Sequence, residues 1–382
     1  MYDCVIIGQS YIGTLTAISL HKAFPHLKLC IIDKHIPNTI QDHRATALSQ
    51  SSIDLMDSLS LWENDLKNAA SPIQEIHIGM NTDKAPLMLK QPNTPLGYNI
   101  ANSALRPTLE KKLSESTNVD YCHGHAINTI TIATTHATVT LDNGTQIQGR
   151  LIIGADGRHS KVREILSSTR VIDYHQTALT GTLHHEISHH HRAFEFFIPQ
   201  GALAFIPLKD PHTSTFVWSL KNTLLPSQET SIERLLSALA HDYLGTLRHI
   251  TPVGQYPLKA FMANQRAGHR WVLLGDAANA IHPVAGQGMN LAIRDITTLI
   301  RHLSTQFNIG LDLGSHTHLA RYAQSRQADR YSLLGVTHAA AGWFTTPHRP
   351  TRSILNKGMH LFHTHSFFSH LAINSASFGI QG

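Results

Sequence analysis

The hydrophobic positions of this chain fall into short runs, and each run ends at a glycine, an acid or both. Asp3-Cys4-Val5-Ile6-Ile7 is apolar at consecutive positions, as a parallel strand buried on both faces must be, and it stops at Gly8. A helical spacing through Leu15, Ile18 and Leu20 follows. A second run, Leu27 to Ile32, ends at Asp33. Leu151-Ile152-Ile153 ends at Gly154-Ala155-Asp156-Gly157, with a helix start predicted at Ser160. Trp271 to Leu274 ends at Gly275-Asp276, and beyond Pro283 a helix starts near Met289. Elsewhere alternation takes over. Thr138 to Leu141, the turn Asp142-Asn143-Gly144, and Thr145 to Ile153 predict a hairpin, read as a small sheet crossing beneath the main one. Thr177 to Ile187, Ala193 to Ile198, Ala202 to Pro207 and Thr213 to Leu220 predict an antiparallel sheet, and Ser231 to Leu244 an amphipathic helix lying on it.

The strand ends carry the chemistry. Gly8-Gln9-Ser10-Tyr11-Ile12-Gly13 joins the first strand to the first helix, and Gly13 to Asp33 is 33 − 13 = 20 residues. A Rossmann-type dinucleotide unit needs that spacing to bring an acid onto the adenosine ribose while the pyrophosphate meets the helix N-terminus. Ser10 stands where a middle glycine ordinarily lets the backbone approach the phosphates. Its Cβ crowds that approach, or its hydroxyl bonds a phosphate. Late in the chain, Asp276 is a carboxylate at a strand end, suited to sugar-like hydroxyls. Gly286-Gln287-Gly288 turns into the helix at Met289 and Asn290, which presents free backbone N–H groups and a partial positive charge. Together they suit a ligand with a polyol chain and an electron-rich ring, such as FAD. The Asp156-Gly157 turn precedes a helix start instead of a hairpin partner, which separates it from the common Asp-Gly turn.

In this order and spacing the three motifs resemble the group A FAD-dependent aromatic hydroxylases. More closely, they resemble the ubiquinone-biosynthesis hydroxylase family, which includes the 2-polyprenyl-6-methoxyphenol hydroxylases. Further segments carry the likeness: Asp42-His43-Arg44-Ala45-Thr46-Ala47-Leu48, Leu105-Arg106 with Leu109 and Leu113, Gly201 to Leu208, Tyr256-Pro257-Leu258, and Tyr322 through Thr337 with Arg326, Asp329 and Arg330. Departures are Ser10, Asn279 where histidine is frequent, and Phe196 where an arginine often follows the glutamate matched by Glu195. The resemblance implies an α/β fold like that of p-hydroxybenzoate hydroxylase: a Rossmann-type FAD domain, an interleaved antiparallel-sheet substrate domain and a helical C-terminal tail. The expected division is 1–70, 101–170 and 262–330 for FAD, 71–100 and 171–261 for substrate, and 331–382 for the tail.

The resemblance also implies a chemistry. Non-covalent FAD is reduced by a transient NAD(P)H, O2 adds at flavin C4a to give a hydroperoxide, and its distal oxygen passes to the ring of a polyprenylated phenol. Asp33 would hold the adenosine ribose and Asp276 the ribityl hydroxyls. Arg44 would lie along the dinucleotide, Arg106 on the flavin-side helix, and Asp156-Gly157 at the pyrophosphate side. Gly286 to Asn290 would face the flavin pyrimidine, with Pro283 near the reactive face. No general base stands out; His282 is the nearest candidate by sequence. Alternatives are a FAD hydroxylase of a small soluble aromatic, or a flavin-binding scaffold subunit of a biosynthetic complex.

Composition narrows the partners. Of 382 residues, 15% are charged and 42% hydrophobic, which excludes a disordered chain. The net charge of +5 comes without a lysine-rich cluster, so no nucleic-acid partner is expected. Cys4, Cys30 and Cys122 form no CxxC and fit a reducing cytoplasm. The first strand begins almost at Met1 and no long uncharged apolar run occurs, so neither a cleaved signal nor a membrane span is expected. His184-His185-Glu186 and His189-His190-His191 invite a metal reading, but they fall in a polar connection with no matching distant cluster, and no metal is expected. After Asp329 the chain has no acid, four fixed cations (Arg330, Arg349, Arg352, Lys357) and many large apolar residues. That composition suits a helical cap, an anionic surface at the inner membrane face, or a quinone-biosynthesis complex.

Overall fold

The computed structural model describes residues 1–36, 42–80, 87–225, 229–251 and 254–343. The apolar runs become one sheet. Its order is Ala267–Gly268, Trp271–Leu273, Gln146–Gly154, Tyr2–Ile7, Leu29–Asp33, Val119–His123. Neighbours from Trp271–Leu273 to Val119–His123 run parallel. Each run is buried on both faces, which is why it reads as continuous rather than alternating. Cys4, Ile6, Leu29, Ile31, Leu151 and Ile153 pack on helices Tyr11–Ala23, Asn102–Ser114 and Gly288–Phe307 through Leu15, Leu105 and Ile293. Val5, Ile7, Cys30, Ile32, Ile152 and Leu273 face the other way, onto Ile130, Val139 and Leu141 of the hairpin layer. Truncating one such residue, Ile6→Ala, costs about 2–5 kcal/mol.

The hairpin at Asp142-Asn143-Gly144 forms as expected, between Ala137–Leu141 and Gln146–Gly154. It is not a separate sheet. Gln146–Gly154 is long enough to pair with Ala137–Leu141 and then continue beside Tyr2–Ile7, so the hairpin extends the main sheet.

The second sheet runs Asn279–Ala280, Gly254–Ala263, Thr169–His185, Thr213–Lys221, Gly201–Pro207, Arg192–Ile198, Glu75–Met80, Leu87–Lys90. Glu75–Met80 pairs parallel with Arg192–Ile198 across more than a hundred residues of chain. Thr169–His185 is longer than the alternation from Thr177 predicts, because a bulge between Asp173 and Gln176 breaks the pattern while the ladder to Gly254–Ala263 continues. His184 and His185 therefore end a strand rather than occupying a connection. Helix Glu229–Leu244 buries Ile232, Leu236, Ala240 and Leu244, an i, i+4 stripe, against Leu179, Phe194, Phe205 and Trp218. A third sheet, Ala45–Ser49, Gly97–Ala101 and Ser71–Ile73, links the layers. Helix Gln327–Trp343 begins the expected helical tail, and residues 344–382 lie outside the described residues. Among the described residues, no helix is long and apolar enough to cross a membrane.

Candidate functional site

The turn after the first strand is built by glycine. Gly8 has φ +103, and a Cβ there would stand 2.5 Å from the Ala155 carbonyl oxygen. A Cβ on Gly13 would stand 1.8 Å from the Gly8 carbonyl oxygen. Neither position admits a side chain, so strand, turn and helix lock at close range. Ser10 is different: it caps helix Tyr11–Ala23 with extended backbone, and its exposed hydroxyl makes no capping hydrogen bond. The helix has no acid in its first turn, which leaves its N-terminus favourable to an anion. Asp33 ends Leu29–Asp33 and accepts the Gln9 N–H at 2.6 Å and the His35 N–H at 2.8 Å, one per oxygen. Each oxygen keeps a lone pair for a sugar hydroxyl.

Asp276 follows Gly275, whose φ of +57 turns the chain out of Trp271–Leu273. Among the described residues nothing donates a hydrogen bond to the Asp276 carboxylate. Burial pushes its pKa above the usual carboxylate range, and Arg158, Arg44 and Arg163 oppose that shift. Arg163 also clamps the main chain. Its Nη1 donates to the carbonyls of Asp276 at 3.2 Å and Ala277 at 3.0 Å, its Nη2 to that of Arg158 at 2.7 Å, and its guanidinium lies 4.2 Å from the Phe261 ring centroid. No role for Arg163 was visible in the sequence, although it sits inside the second motif.

The second motif behaves unlike the third. Asp156 Oδ2 accepts the N–H groups of Lys161 at 2.7 Å and Val162 at 3.2 Å, and so caps helix Lys161–Leu166 together with Ser160, whose Oγ accepts the Arg163 N–H at 3.0 Å. Among the described residues Asp156 Oδ1 finds no partner, although it is buried. Gly157 has φ +79 and open space where a Cβ would lie.

The loop from Pro283 to Asn290 is held from outside itself. Asn290 Oδ1 accepts from the Ser49 N–H at 2.9 Å and the Ser52 hydroxyl at 2.8 Å, and Nδ2 donates to the Ala47 carbonyl at 3.1 Å and the Gly286 carbonyl at 3.4 Å. The side chain of Asn290 is thus a strap between the loop and the segment following Arg44. His282 is buried, with its ring nitrogens 2.8 Å from Gln176 Oε1 and 3.3 Å from the Val284 N–H. Those partners fix the proton on Nε2, which donates to Gln176, while Nδ1 accepts from Val284. Burial lowers the His282 pKa to about 4, with His338 adding to the shift. Gly286 has φ +60; among the described residues a Cβ on Gly288 would meet nothing within 4 Å, and the buried Oε1 of Gln287 has no partner. Met289 packs on the core beneath.

Arg44 is held by Asp42, at 2.8 Å from Nε and 2.8 Å from Nη2, and that pairing keeps the Asp42 carboxyl well below the usual range. Tyr11 Oη donates to Asp42 at 3.0 Å and Asn102 Nδ2 at 2.9 Å, so the first helix, Arg44 and helix Asn102–Ser114 share one carboxylate. Arg106 on that helix donates to Glu110 at 2.8 Å. Contacts thus bring the motifs to one place: Gly8 against Ala155, Gly275 against Ile12, Asn290 against Ser49, Tyr11 against Asp42.

The residues fit FAD on three features of the structure. A shielded carboxylate without a protein donor, Asp276, calls for hydroxyls. A helix start with a free serine hydroxyl calls for phosphate. Open space at Gly288 before a helix N-terminus admits a flat ring onto the backbone. The second sheet meets this loop through apolar residues, Val284 packing with Phe197, Ala202 and Ile78. Phe196 points the other way, into the core under the Glu229–Leu244 helix. Asn279 pairs with Met262 in the second sheet, and its buried Oδ1 has no partner among the described residues. Among the described residues, no three His, Cys, Asp or Glu side chains could share a metal ion.

Residues 1–330 match the model of a family described as the FAD binding domain. The ubiquinone hydroxylase UbiL of Rhodospirillum rubrum is 31% identical over 365 residues, covering 91% of this chain and 83% of that protein. The 3-demethoxyubiquinol 3-hydroxylase of Escherichia coli is 26% identical, covering 94% and 93%. Among solved structures, p-nitrophenol 4-monooxygenase PnpA from Pseudomonas putida DLL-E4 superposes with a TM-score of 0.81 at 17% identity, covering 98% of this chain and 96% of that one. At that identity the likeness speaks for the fold alone.

Proposed function

The chain belongs to the FAD binding domain family and, within it, to the FAD-dependent aromatic-ring hydroxylases of ubiquinone biosynthesis, and from that premise we propose that its substrate is a polyprenylated phenol, oxidised with O2 and electrons from a transient NAD(P)H. The observation that carries the substrate reading is the apolar wall of Val284, Phe197, Ala202 and Ile78 beside Pro283. An uncharged ring with a prenyl chain is at home there. A carboxylate-bearing aromatic would need a cation, and the position where the family often has arginine is Phe196, turned into the core.

In this reading Asp33 holds the adenosine ribose, and Ser10 with the Tyr11–Ala23 helix start takes the pyrophosphate. Asp276 accepts from ribityl hydroxyls, Arg44 lies along the dinucleotide, and Gly286 to Asn290 line the flavin pyrimidine. Asp156 and Gly157 shape the pyrophosphate side, and Arg106 supports the flavin-side helix. Bound FAD supplies the oxygen activation, delivering one oxygen atom to an electron-rich ring carbon and leaving the other as water. The chain's own work is to exclude water with the apolar wall and to hold the loop through His282 and Asn290. His282 is a positioning residue, since both ring nitrogens are engaged. Residues 1–70, 101–170 and 262–330 act as the cofactor unit and 71–100 with 171–261 as the substrate unit. The cation-bearing, acid-free stretch after Asp329 brings the enzyme to an anionic membrane surface or a quinone-biosynthesis complex.

Two measurements test this. In cells lacking the protein, mass spectrometry should find a polyprenylated phenol lacking one oxygen atom. The purified protein should couple NAD(P)H and O2 consumption to hydroxylation of that phenol. Normal ubiquinone levels with no prenylated intermediate would overturn the substrate reading. Liposome flotation at two salt concentrations tests the surface reading, and failure to float together with no larger assembly in extract would overturn it.

A further inference from the structure

Behind the helix that starts at Gly288, four arginines meet two aspartates out of contact with water. Arg266, Arg294, Arg326 and Arg330 are each less than a tenth exposed, as are Asp295 and Asp329. Arg266 pairs with Asp295, which Arg326 Nε also reaches at 2.7 Å. Arg326 pairs with Asp329, which Arg294 Nε reaches at 2.9 Å. Among the described residues the guanidinium of Arg330 pairs with no carboxylate; Nη2 donates to Tyr331 Oη at 3.4 Å and the group lies 5.0 Å from the centroid of that ring. Four guanidinium charges thus face two carboxylates.

The donors are in excess as well. Among the described residues, Nε and Nη1 of Arg266, Nη1 of Arg294, Nε and Nη1 of Arg330 and the hydroxyl of Tyr322 are buried without a partner. Tyr322 lies in the combined field of Asp295, Arg266, Arg326 and Arg330. Burial, with Arg266 beside it, pulls the Arg330 pKa below its ordinary value. An unpaired buried donor is costly, and an uncompensated buried cation more so. What the described residues of the cluster lack is negative charge and acceptors. Water would bring acceptors without charge. A protonated oxyanion would bring hydroxyls that find no acceptor in a shell of donors. A halide brings charge and accepts from every side.

We propose that Arg266, Arg330 and Tyr322 form a buried binding site for a small monovalent anion of chloride size. The anion ties helix His316–Ser325, which carries Tyr322, and helix Gln327–Trp343, which carries Arg330, to the strand leading to Asp276. Arg266 reaches that strand through its own carbonyl, which accepts the Leu273 N–H at 2.7 Å.

The test uses the full-length, FAD-saturated protein. Thermal unfolding is followed in gluconate and in chloride or bromide at equal ionic strength, and bromide-soaked crystals are searched for an anomalous peak between the three side chains. The expected result is a midpoint higher in halide by on the order of 1–3 °C, saturating with concentration, together with the peak. Tyr322→Phe keeps the ring and should raise the half-saturating bromide concentration about 3- to 10-fold, and Arg330→Met should abolish the dependence. A peak without stabilisation in solution marks an adventitious ion only and overturns the proposal. So do equal midpoints in gluconate and halide, or stabilisation without a peak. If Arg330→Met does not fold, the wild-type protein and Tyr322→Phe decide alone.

Discussion

Two strand ends in this molecule look alike and behave differently. Leu151-Ile152-Ile153 runs into Gly154-Ala155-Asp156-Gly157, and Val272-Leu273-Leu274 runs into Gly275-Asp276. Both place a carboxylate after a glycine at the carboxyl end of a parallel strand. Asp156 spends one oxygen on two N–H groups of its own following helix. No described residue donates to the Asp276 carboxylate, which three arginines surround electrostatically. The difference lies in what comes next. After Asp156 a helix starts within five residues, and its free N–H groups capture the acid. After Asp276 the chain makes a short helical turn and a loop, and its helix waits until Gly288. A carboxylate beyond reach of its own helix start keeps its lone pairs, which is why Asp276 is the one proposed to meet the cofactor. Hydrogen-bond accounting, not the motif, separates the acid that caps its own helix from the acid proposed to bind the cofactor.

The largest effect should come from removing the acid that is free. Asp276→Ala removes a charge-assisted contact worth on the order of 1.5–3 kcal/mol, or roughly 10- to 150-fold in FAD affinity. The apoprotein should lose little stability, since no protein hydrogen bond is broken. Fluorescence quenching gives the affinity and calorimetry of the apoprotein the stability. An unchanged FAD affinity with an intact fold would remove Asp276 from the site.

Acid should separate the two regions next. The loop after Asp276 depends on His282, whose pKa in the folded protein is lowered to about 4. An unfolded histidine titrates near 6.5, so the unfolded state binds more protons throughout that window. Stability is therefore full above about 6.5 and falls as pH drops toward 4, by on the order of 1–2 kcal/mol at pH 5. His185 is also buried neutral, with its pKa lowered to about 4 by burial, and it loosens the second sheet in the same direction. The turn after Asp156 is capped by a carboxylate and a serine, and burial raises the Asp156 pKa, so proton uptake there favours the folded state, opposite in sign to His282. FAD release between pH 7 and 5 should be reduced in His282→Asn, which keeps a side-chain acceptor without an imidazole. If the variant follows the wild-type curve, His282 does not hold the loop.

Much of the proposed site was open to reading from sequence because its parts are local. The 20-residue step from Gly13 to Asp33, the acid at a strand end, and the glycine pair before Met289 each lie within one strand-turn-helix unit. What could not be read is what joins the units. Asn290 bonds Ser49 across 241 residues, and Arg163 holds the Asp276 carbonyl across 113. The parallel pairing of Glu75–Met80 with Arg192–Ile198 is equally remote. Periodicity has no term for such contacts. The double nature of Asp156 is subtler: its helix start was seen at Ser160, but whether the acid turns toward that helix or toward a ligand is set by backbone geometry that residue types do not encode.

A smaller effect should appear at the structural acid. Asp156→Ala removes a cap and should cost about 1 kcal/mol of stability, with FAD affinity changed less than in Asp276→Ala. Asp156→Asn retains the accepting oxygen and should recover most of the loss in thermal unfolding. A larger loss of affinity than of stability would mean that the buried, unpartnered Oδ1 of Asp156 serves the cofactor, and the contrast between the two strand ends would narrow.

The smallest expected change is at Ser10, and it tests the third end of the site. Gly8 and Gly13 cannot carry a Cβ, because each would strike a carbonyl oxygen within 2.5 Å. Ser10 carries one in ordinary extended backbone, exposed, with a hydroxyl that caps nothing. Helix-start N–H groups do most of the binding at such a position, so the side chain should act mainly by mild crowding of the pyrophosphate. Ser10→Gly should then bind FAD as tightly as wild type or a few-fold tighter, and Ser10→Ala should match wild type. If both variants bind about 5-fold or more weakly, near the 1 kcal/mol of a neutral hydrogen bond, the hydroxyl is a ligand. Ser10 would then join Asp276 as a polar group the fold leaves unsatisfied for the cofactor to complete.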